Sequence, residues 1–409
     1  MKSYNYSELS CLLTKKLKKE EKKQNGIFFT PPETIDKNIE FLDPFIKNFK
    51  NVLEPSCGSC EYILKLKNSY PDINITGIEF NKIIFESIKE YEEKNIILIN
   101  DNYLNVEFNN KFDLIVGNPP YFVMKKQDVN MIYYPYFEGR PNIFILFIIK
   151  SLWLLNDNGI MSFILPKNFL NCLYYNKTRK YIINNYNILN IIECNDKYLE
   201  TQQDTIIMII RNEKPTKNNR LFSMNISNST IFGLAENIVS LNKLYNNSQT
   251  LFNLGFNVSV GNIVWNQCKK DLTSDKNKTL LVYSSDIKNN KLSIQNYSNK
   301  DKKNYINKPG LTGPLLVINR GYGVGCYNFN YCIINENENE NDNIEYLIEN
   351  HLICIKYTKG ISNENLIKLY KKIIESFENE KTVEFIKIYF GNNAMNTTEL
   401  CNILPIYDI

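Results

Sequence analysis

Phe112-Asp113-Leu114-Ile115-Val116-Gly117-Asn118-Pro119-Pro120-Tyr121 is a β-rich run that ends in a rigid turn. Runs of the same character recur on either side of it. Asn51-Val52-Leu53 ends at Glu54-Pro55, Ile73–Ile78 at Glu79, and Asn95–Ile99 just before Asp101. Ile160–Leu165 follows the turn Asp157-Asn158-Gly159, and the largely β-branched Thr205–Ile210 has the character of a late central strand. Ser59–Ser69, Asn81–Lys94 and Asn142–Leu155 lie between them with helical character. Such strand–helix alternation predicts a parallel α/β sheet. Ligands of these sheets sit at the carboxyl ends of the strands, where Glu54, Glu79, Asp101 and Asn118 all fall.

At 409 residues the chain has the length of two domains, and 43% hydrophobic content is enough for two cores. The apolar run Ile143–Lys150 is far too short to span a membrane, and Met1–Lys23 has lysine clusters but no apolar signal core. These features place the protein inside the cell, with its ten Cys as free thiols. The single His, His351, sits in an apolar segment, which excludes Ser-His, Cys-His and multi-His metal chemistry. Cys57-Gly58-Ser59-Cys60 has C-x-x-C spacing, but a structural zinc site wants a second pair and none exists, so no metal is expected.

Strand–helix alternation stops after about Arg211, and Lys214–Asn219 reads as a linker. Beyond it come scattered β-like pieces (Leu281–Ser284, Leu315–Ile318, Tyr331–Ile334) and helical stretches near Asn365–Glu378 and Lys381–Phe390. Asn335–Asn341 alternates Asn and Glu and reads as an exposed loop. From Lys269 to Lys308 ten Lys face only four Asp, a larger excess than the whole chain's net charge of +4. Tyr283, Tyr297 and Tyr305 are interleaved. This stretch is either a solvated loop region or a surface that tracks phosphates, with Lys300, Lys302 and Lys303 at its densest point.

The strand ends carry the chemistry. Glu54-Pro55-Ser56-Cys57-Gly58 is a small-residue turn that opens a helix, so a ligand can approach its backbone. Glu79 is placed to accept hydrogen bonds from ribose hydroxyls, and Asp101 lies where the purine of the same ligand would be. Together they describe a nucleoside-bearing cofactor, and the lack of G-x-G-x-x-G counts against a dinucleotide. Asn118-Pro119-Pro120-Tyr121, taken alone, could be a plain turn. Its chemistry offers more. The amino nitrogen of adenine is a poor nucleophile because its lone pair is delocalised into the ring. The Asn118 side-chain oxygen and the Pro119 carbonyl can take its two N–H bonds, which draws the nitrogen towards tetrahedral geometry. The prolines fix these acceptors in place, and Tyr121 supplies a face for the ring.

The order of these segments resembles the γ-class, Taq-type N6-adenine DNA methyltransferases of restriction–modification systems. The matching pieces are Gly26-Ile27-Phe28-Phe29-Thr30-Pro31-Pro32-Glu33, Glu54–Cys57, Glu79, Asp101, Asn118–Tyr121, Asn142-Ile143-Phe144 and Asn158–Pro166. They cover residues 24–212, with fainter echoes at Val258–Gly261, Val317–Gly321 and Leu400–Ile406. The resemblance implies S-adenosyl-L-methionine as methyl donor, leaving as S-adenosyl-L-homocysteine, and double-stranded DNA as partner. It implies a Rossmann-like methyltransferase sheet with helices on both faces over residues 24–213, after a basic helical extension at 1–23. A linker at 214–219 and an α+β target-recognition domain at 220–409 complete it. Thr30, Glu54, Pro55, Ser56 and Cys57 would hold the methionine end, Glu79 the ribose, and Asp101 with Pro120 the adenine moiety. Asn118, Pro119, Pro120 and Tyr121 would act on a flipped-out adenine, with Tyr198 as its second stacking face and Lys300, Lys302 and Lys303 on DNA. The chain departs from the family in having Cys60 where a glycine is usual, and Asp101 and Asn102 compete for one role. The resemblance also allows a cognate restriction endonuclease as a partner of a monomeric enzyme. Two further function classes stay open: the same amino-group chemistry on RNA or on a protein glutamine, and a non-catalytic DNA-binding subunit on this fold.

Overall fold

The computed structural model describes residues 6–196, 198–201, 203–320, 329–335, 344–390 and 395–409. Residues 1–5 of the expected extension, Lys197, Gly321 and residues 336–341 of the Asn-Glu run lie outside them. The chain divides into two compact units, Met1–Ile238 and Val239–Ile409.

The first unit begins with α1 (Glu8–Lys16), α2 (Lys19–Asn25) and α3 (Pro32–Ile46). β1 (Asn51–Glu54), α4 (Glu61–Ser69), β2 (Asn74–Ile78), α5 (Lys82–Ile88), β3 (Ile96–Ile99) and β4 (Phe112–Gly117) follow. α6 (Ile143–Trp153), β5 (Leu155–Pro166), α7 (Asn176–Asn185), β6 (Asn187–Cys194) and β7 (Thr205–Arg211) close the series. The sheet order is β3-β2-β1-β4-β5-β7-β6. β1 to β5 run parallel, and β7 lies antiparallel between β5 and β6. This is the Rossmann-like sheet that the resemblance implies.

Period-two side-chain alternation splits the core into two layers. Ile206, Met208 and Ile210 of β7 pack with α6 on one face, while Ile207 and Ile209 join α3 and α4 on the other. Helices therefore cover both faces. β1 and β4 are neighbours although two strands intervene in sequence, so the sheet reverses its winding between them. Glu54 and Asn118 flank that switch point, where open α/β sheets bind ligands.

Three expectations need correction. β6 was not foreseen. α5 stops at Ile88 and passes into a short 3-10 turn instead of running to Lys94. Residues 214–219 are not a boundary between the compact units. Thr216 Oγ1 donates to Asn187 Oδ1 at 2.8 Å and Asn218 Nδ2 to the Ile188 carbonyl at 2.7 Å, which pins the stretch to β6. The second unit holds two four-stranded sheets. One is Phe256–Val260, Leu352–Tyr357, Leu315–Asn319 and Tyr331–Ile334; the other is Leu272–Thr273, Tyr305–Ile306, Thr279–Val282 and Tyr346–Ile348. Helices Asn363–Glu378 and Glu380–Tyr389 make it α+β. No described helix is long and apolar enough to cross a membrane.

Candidate active site

The turn after β1 is held by β2. Cys57 N donates to the Ile78 carbonyl at 2.8 Å and Gly58 N to Glu79 Oε2 at 2.9 Å. Glu79 Oε1 accepts from Asn81 N at 2.6 Å, which ties the acid to the start of α5. Glu79 is buried, and burial pushes its carboxyl up to about 7 against the pull of those backbone donors. Glu54 is buried as well. Burial, with Cys60, Glu61 and Glu79 around it, drives its carboxyl well above the usual range, and its Oε2 has no hydrogen-bond partner. Cys60 adopts the left-handed backbone, φ 64°, that a glycine would take without cost. The chain keeps the turn there by accepting local strain.

These strand ends border one cleft. Gly26, Phe28, Pro55, Ser56, Gly58, Glu79, Phe80, Asp101, Asn102, Asn118, Pro120 and Phe122 line it. A smaller deep pocket carries Thr30, Glu54, Cys57 and Ser59, and Phe28, Ser56, Gly58 and Asn118 line both. Asp101 is exposed; its Oδ1 accepts from Asn102 N at 2.6 Å. Asn102 spends its own Oδ1 on Leu104 N at 3.0 Å, which closes a local turn. Phe80 is 64% exposed although it lines the cleft, a feature that the sequence pattern did not single out. Its signal was an aromatic directly after the acid that ends β2. Cys57 spends its N–H on Ile78 and packs its thiol beside Cys60, so it shapes the turn that lines the smaller pocket.

The strap between α2 and α3 crosses the turn after β4. Gly26 has φ 64°, and a Cβ on it would lie 2.6 Å from Tyr121 N, so only glycine lets the two backbones pass. Asn118 Nδ2 donates to Thr30 Oγ1 at 3.2 Å and lies 3.5 Å from the Phe28 carbonyl. Ser56 Oγ donates to the Asn118 carbonyl at 3.0 Å. Tyr121 makes contacts that the sequence did not foresee. Its hydroxyl turns inward, 2.6 Å from Asn118 Oδ1 and 2.8 Å from the Ile164 carbonyl, and its ring packs edge-on against Phe144. Tyr198 is buried; burial raises its phenol, while Thr205 and Asn118 pull the other way. It lies near Asn118 and Tyr121, but it does not line the cleft.

Residues 2–199 match the model of the Eco57I restriction-modification methylase family. The Type II methyltransferase M.CvrRI of Paramecium bursaria Chlorella virus XZ-6E is 28% identical over 394 residues, 94% of this chain and 94% of that protein. The modification methylase CviBIII of Paramecium bursaria Chlorella virus NC1A is 28% identical over 421 residues, 98% of this chain and 99% of that protein. These likenesses support a Type II DNA methyltransferase of restriction–modification systems, of the γ class. Among solved structures, a putative class I S-adenosylmethionine-dependent methyltransferase from Listeria monocytogenes covers 52% of the chain and 72% of itself, at 19% identity and a TM-score of 0.43. The methyltransferase takes its methyl group from S-adenosyl-L-methionine, and the cleft suits that molecule. Glu54 has a buried side-chain oxygen without a hydrogen-bond partner, a glycine turn admits close approach, and the Phe80 ring is exposed at the cleft.

In the methyltransferase's second unit, the three singled-out lysines do not act alike. Lys300 is exposed. Lys302 Nζ sits 4.1 Å from the Tyr283 ring centre and 3.8 Å from that of Tyr297, and burial lowers its pKa. Lys302 thus lies against two rings of its own unit, unlike exposed Lys300. Lys303 is half-buried, and its carbonyl accepts the Tyr283 hydroxyl at 2.8 Å. Lys269 and Lys308 pair with Asp301 and Asp271. His351 pairs with buried Glu349 at 2.6 Å.

Proposed function

We propose that the methyltransferase acts on N6 of an adenine flipped out of double-stranded DNA, since that amino group cannot be reached inside the stack. The observation that carries this is Asn118 at the end of β4, its amide already oriented, beside the cofactor cleft and next to the Pro119 carbonyl. Bound S-adenosylmethionine supplies an electrophilic methyl group. Asn118 Oδ1 and the Pro119 carbonyl accept the two N–H bonds of the amino group and leave its lone pair directed outward. No histidine or other base is required before transfer.

Around the cofactor, Glu54 Oε2 takes the cationic amino group of the methionine end, with Thr30, Pro55 and Ser56 alongside. Glu79 receives the ribose: each of its oxygens already accepts one backbone N–H and keeps a lone pair for a hydroxyl. Asp101 rather than Asn102 serves the purine amino group, because its carboxylate offers a second oxygen beside the one that accepts from Asn102 N, whereas the single side-chain oxygen of Asn102 already accepts from Leu104 N. Phe80 and Pro120 flank the purine, and Tyr121 and Tyr198 border the target base. The second unit, residues 239–409, reads the DNA with Lys300 and Lys303 on phosphates. The enzyme works as a monomer and shares its site with a cognate endonuclease. Enzymatic digestion of methylated duplex DNA tests the chemistry: N6-methyladenosine is expected, and a methylated cytosine in its place would refute the adenine assignment.

A further inference from the structure

The two ends of a primary amide are nearly equal in shape and opposite in hydrogen bonding. Facing an amino group with Oδ1, Asn118 accepts an N–H and activates the nitrogen. Rotated by half a turn about χ2, it offers two more donors and activates nothing. A catalytic amide therefore needs neighbours that can tell its two ends apart.

Asn118 has one such neighbour, the Phe28 carbonyl, and a hydroxyl on each side that holds the chosen orientation. The Phe28 carbonyl can only accept, so the amide atom facing it is Nδ2, at 3.5 Å. Thr30 Oγ1 accepts from the same nitrogen at 3.2 Å. On the other side the Tyr121 hydroxyl is 2.6 Å from Oδ1. That hydroxyl has one proton and two acceptors in reach, the second being the Ile164 carbonyl at 2.8 Å on β5. Burial holds the phenol well above its ordinary value, so it stays a donor.

We propose that Thr30 and Tyr121 are positioning residues for methyl transfer. Their hydroxyls hold the Asn118 amide in the orientation that the acceptor-only Phe28 carbonyl selects, and Tyr121 turns its proton from Oδ1 to the Ile164 carbonyl when the substrate amino group docks. The arrangement follows from the cost of an unpaired buried donor. As the incoming N–H takes up Oδ1, the phenol proton keeps a partner 2.8 Å away and is never orphaned. Oδ1 is freed of a competing donor at the moment the substrate needs it. The role belongs to the hydroxyl of Tyr121 and is separate from any stacking by its ring. It rests on Asn118 being the group that holds the target nitrogen.

Tyr121→Phe keeps the ring and removes only the hydroxyl. Single-turnover methyl transfer at saturating S-adenosylmethionine and DNA is expected to slow about tenfold, the scale of one hydrogen bond. The cofactor dissociation constant and the KM for DNA should stay within about twofold. Thr30→Val is expected to slow the same step, and Thr30→Ser to restore it. A Tyr121→Phe enzyme that transfers at the wild-type rate overturns the proposal for Tyr121, and a Thr30→Val enzyme that does so overturns it for Thr30. Asn118→Ala separates the two levels. If it is inactive while Tyr121→Phe is at full speed, Asn118 keeps its role and the positioning proposal fails. If Asn118→Ala still transfers, the role of Asn118 fails first.

Discussion

In sequence, both the strand ends of the first unit and the lysine stretch near Lys300 suggest binding, yet the fold treats the two differently. Glu54, Glu79, Asp101 and Asn118 come from four separate strands, and the parallel sheet delivers all four to adjoining pockets of one cleft. Lys302, by contrast, is caught between Tyr283 and Tyr297, and Lys269 and Lys308 are paired with aspartates of their own unit. A side chain at a strand end is positioned by topology, so its chemistry survives folding. A charge on an irregular stretch is available only if local packing leaves it so.

The contrast can be pressed hardest at Glu54. Glu54→Gln is expected to raise the cofactor dissociation constant about 10- to 100-fold, the loss of one charge-assisted buried hydrogen bond. Calorimetric titration with S-adenosylhomocysteine measures it; unchanged affinity would remove Glu54 from the site. The lysines come next. Replacing Lys300 and Lys303 with Ala should flatten the dependence of DNA affinity on salt by about one unit of log–log slope for each phosphate left unneutralised. Lys302→Ala should leave that slope alone and instead cost the unit about 1 kcal/mol of stability, because its ammonium no longer sits against the two rings. If the salt slope responds to Lys302 as it does to Lys300, the contrast breaks down.

The smallest effect concerns pH. Burial raises the Glu79 carboxyl above its unfolded value, so the folded free protein binds the proton more tightly than the unfolded chain. Glu79 therefore favours the fold fully below the ordinary glutamate value of about 4.3. That advantage is lost as pH rises towards about 7. Glu79→Gln should make the melting temperature less sensitive to pH across that window. An identical pH profile for the two proteins would contradict the burial assigned to Glu79.

Most of the sheet was legible because its strands carry their own signal. β7 is buried along nearly its whole length, and its Ile-rich run shows it. β6 escaped notice because Asn187 and Asn190 interrupt its apolar pattern. It is an edge strand with a bulge between Ile188 and Asn190, and half its residues are only partly buried. Residues 214–219 looked like a linker because Pro215 and two Asn favour turns, but Thr216 and the same Asn type also make the side-chain bonds that pin the stretch. The candidate site was legible as a set of strand-end residues, whereas its side-chain directions were not. No pattern in sequence says that the Tyr121 hydroxyl turns back to Asn118 or that the Cys57 thiol enters the core, because both depend on neighbours distant in the chain. The tyrosines among the lysines were noticed, but sequence could not show that one lysine lies between two of them.

The most direct test of the turn after β4 is single-molecule sequencing of DNA from cells that express either the wild-type chain or Asn118→Ala. The wild type is expected to leave N6-methyladenine in one recurring sequence context, and the variant, with cofactor binding intact, none. Marks left at the same sites by Asn118→Ala, or methyl groups found only on cytosine, would contradict the assignment of this turn as the group that activates an adenine nitrogen.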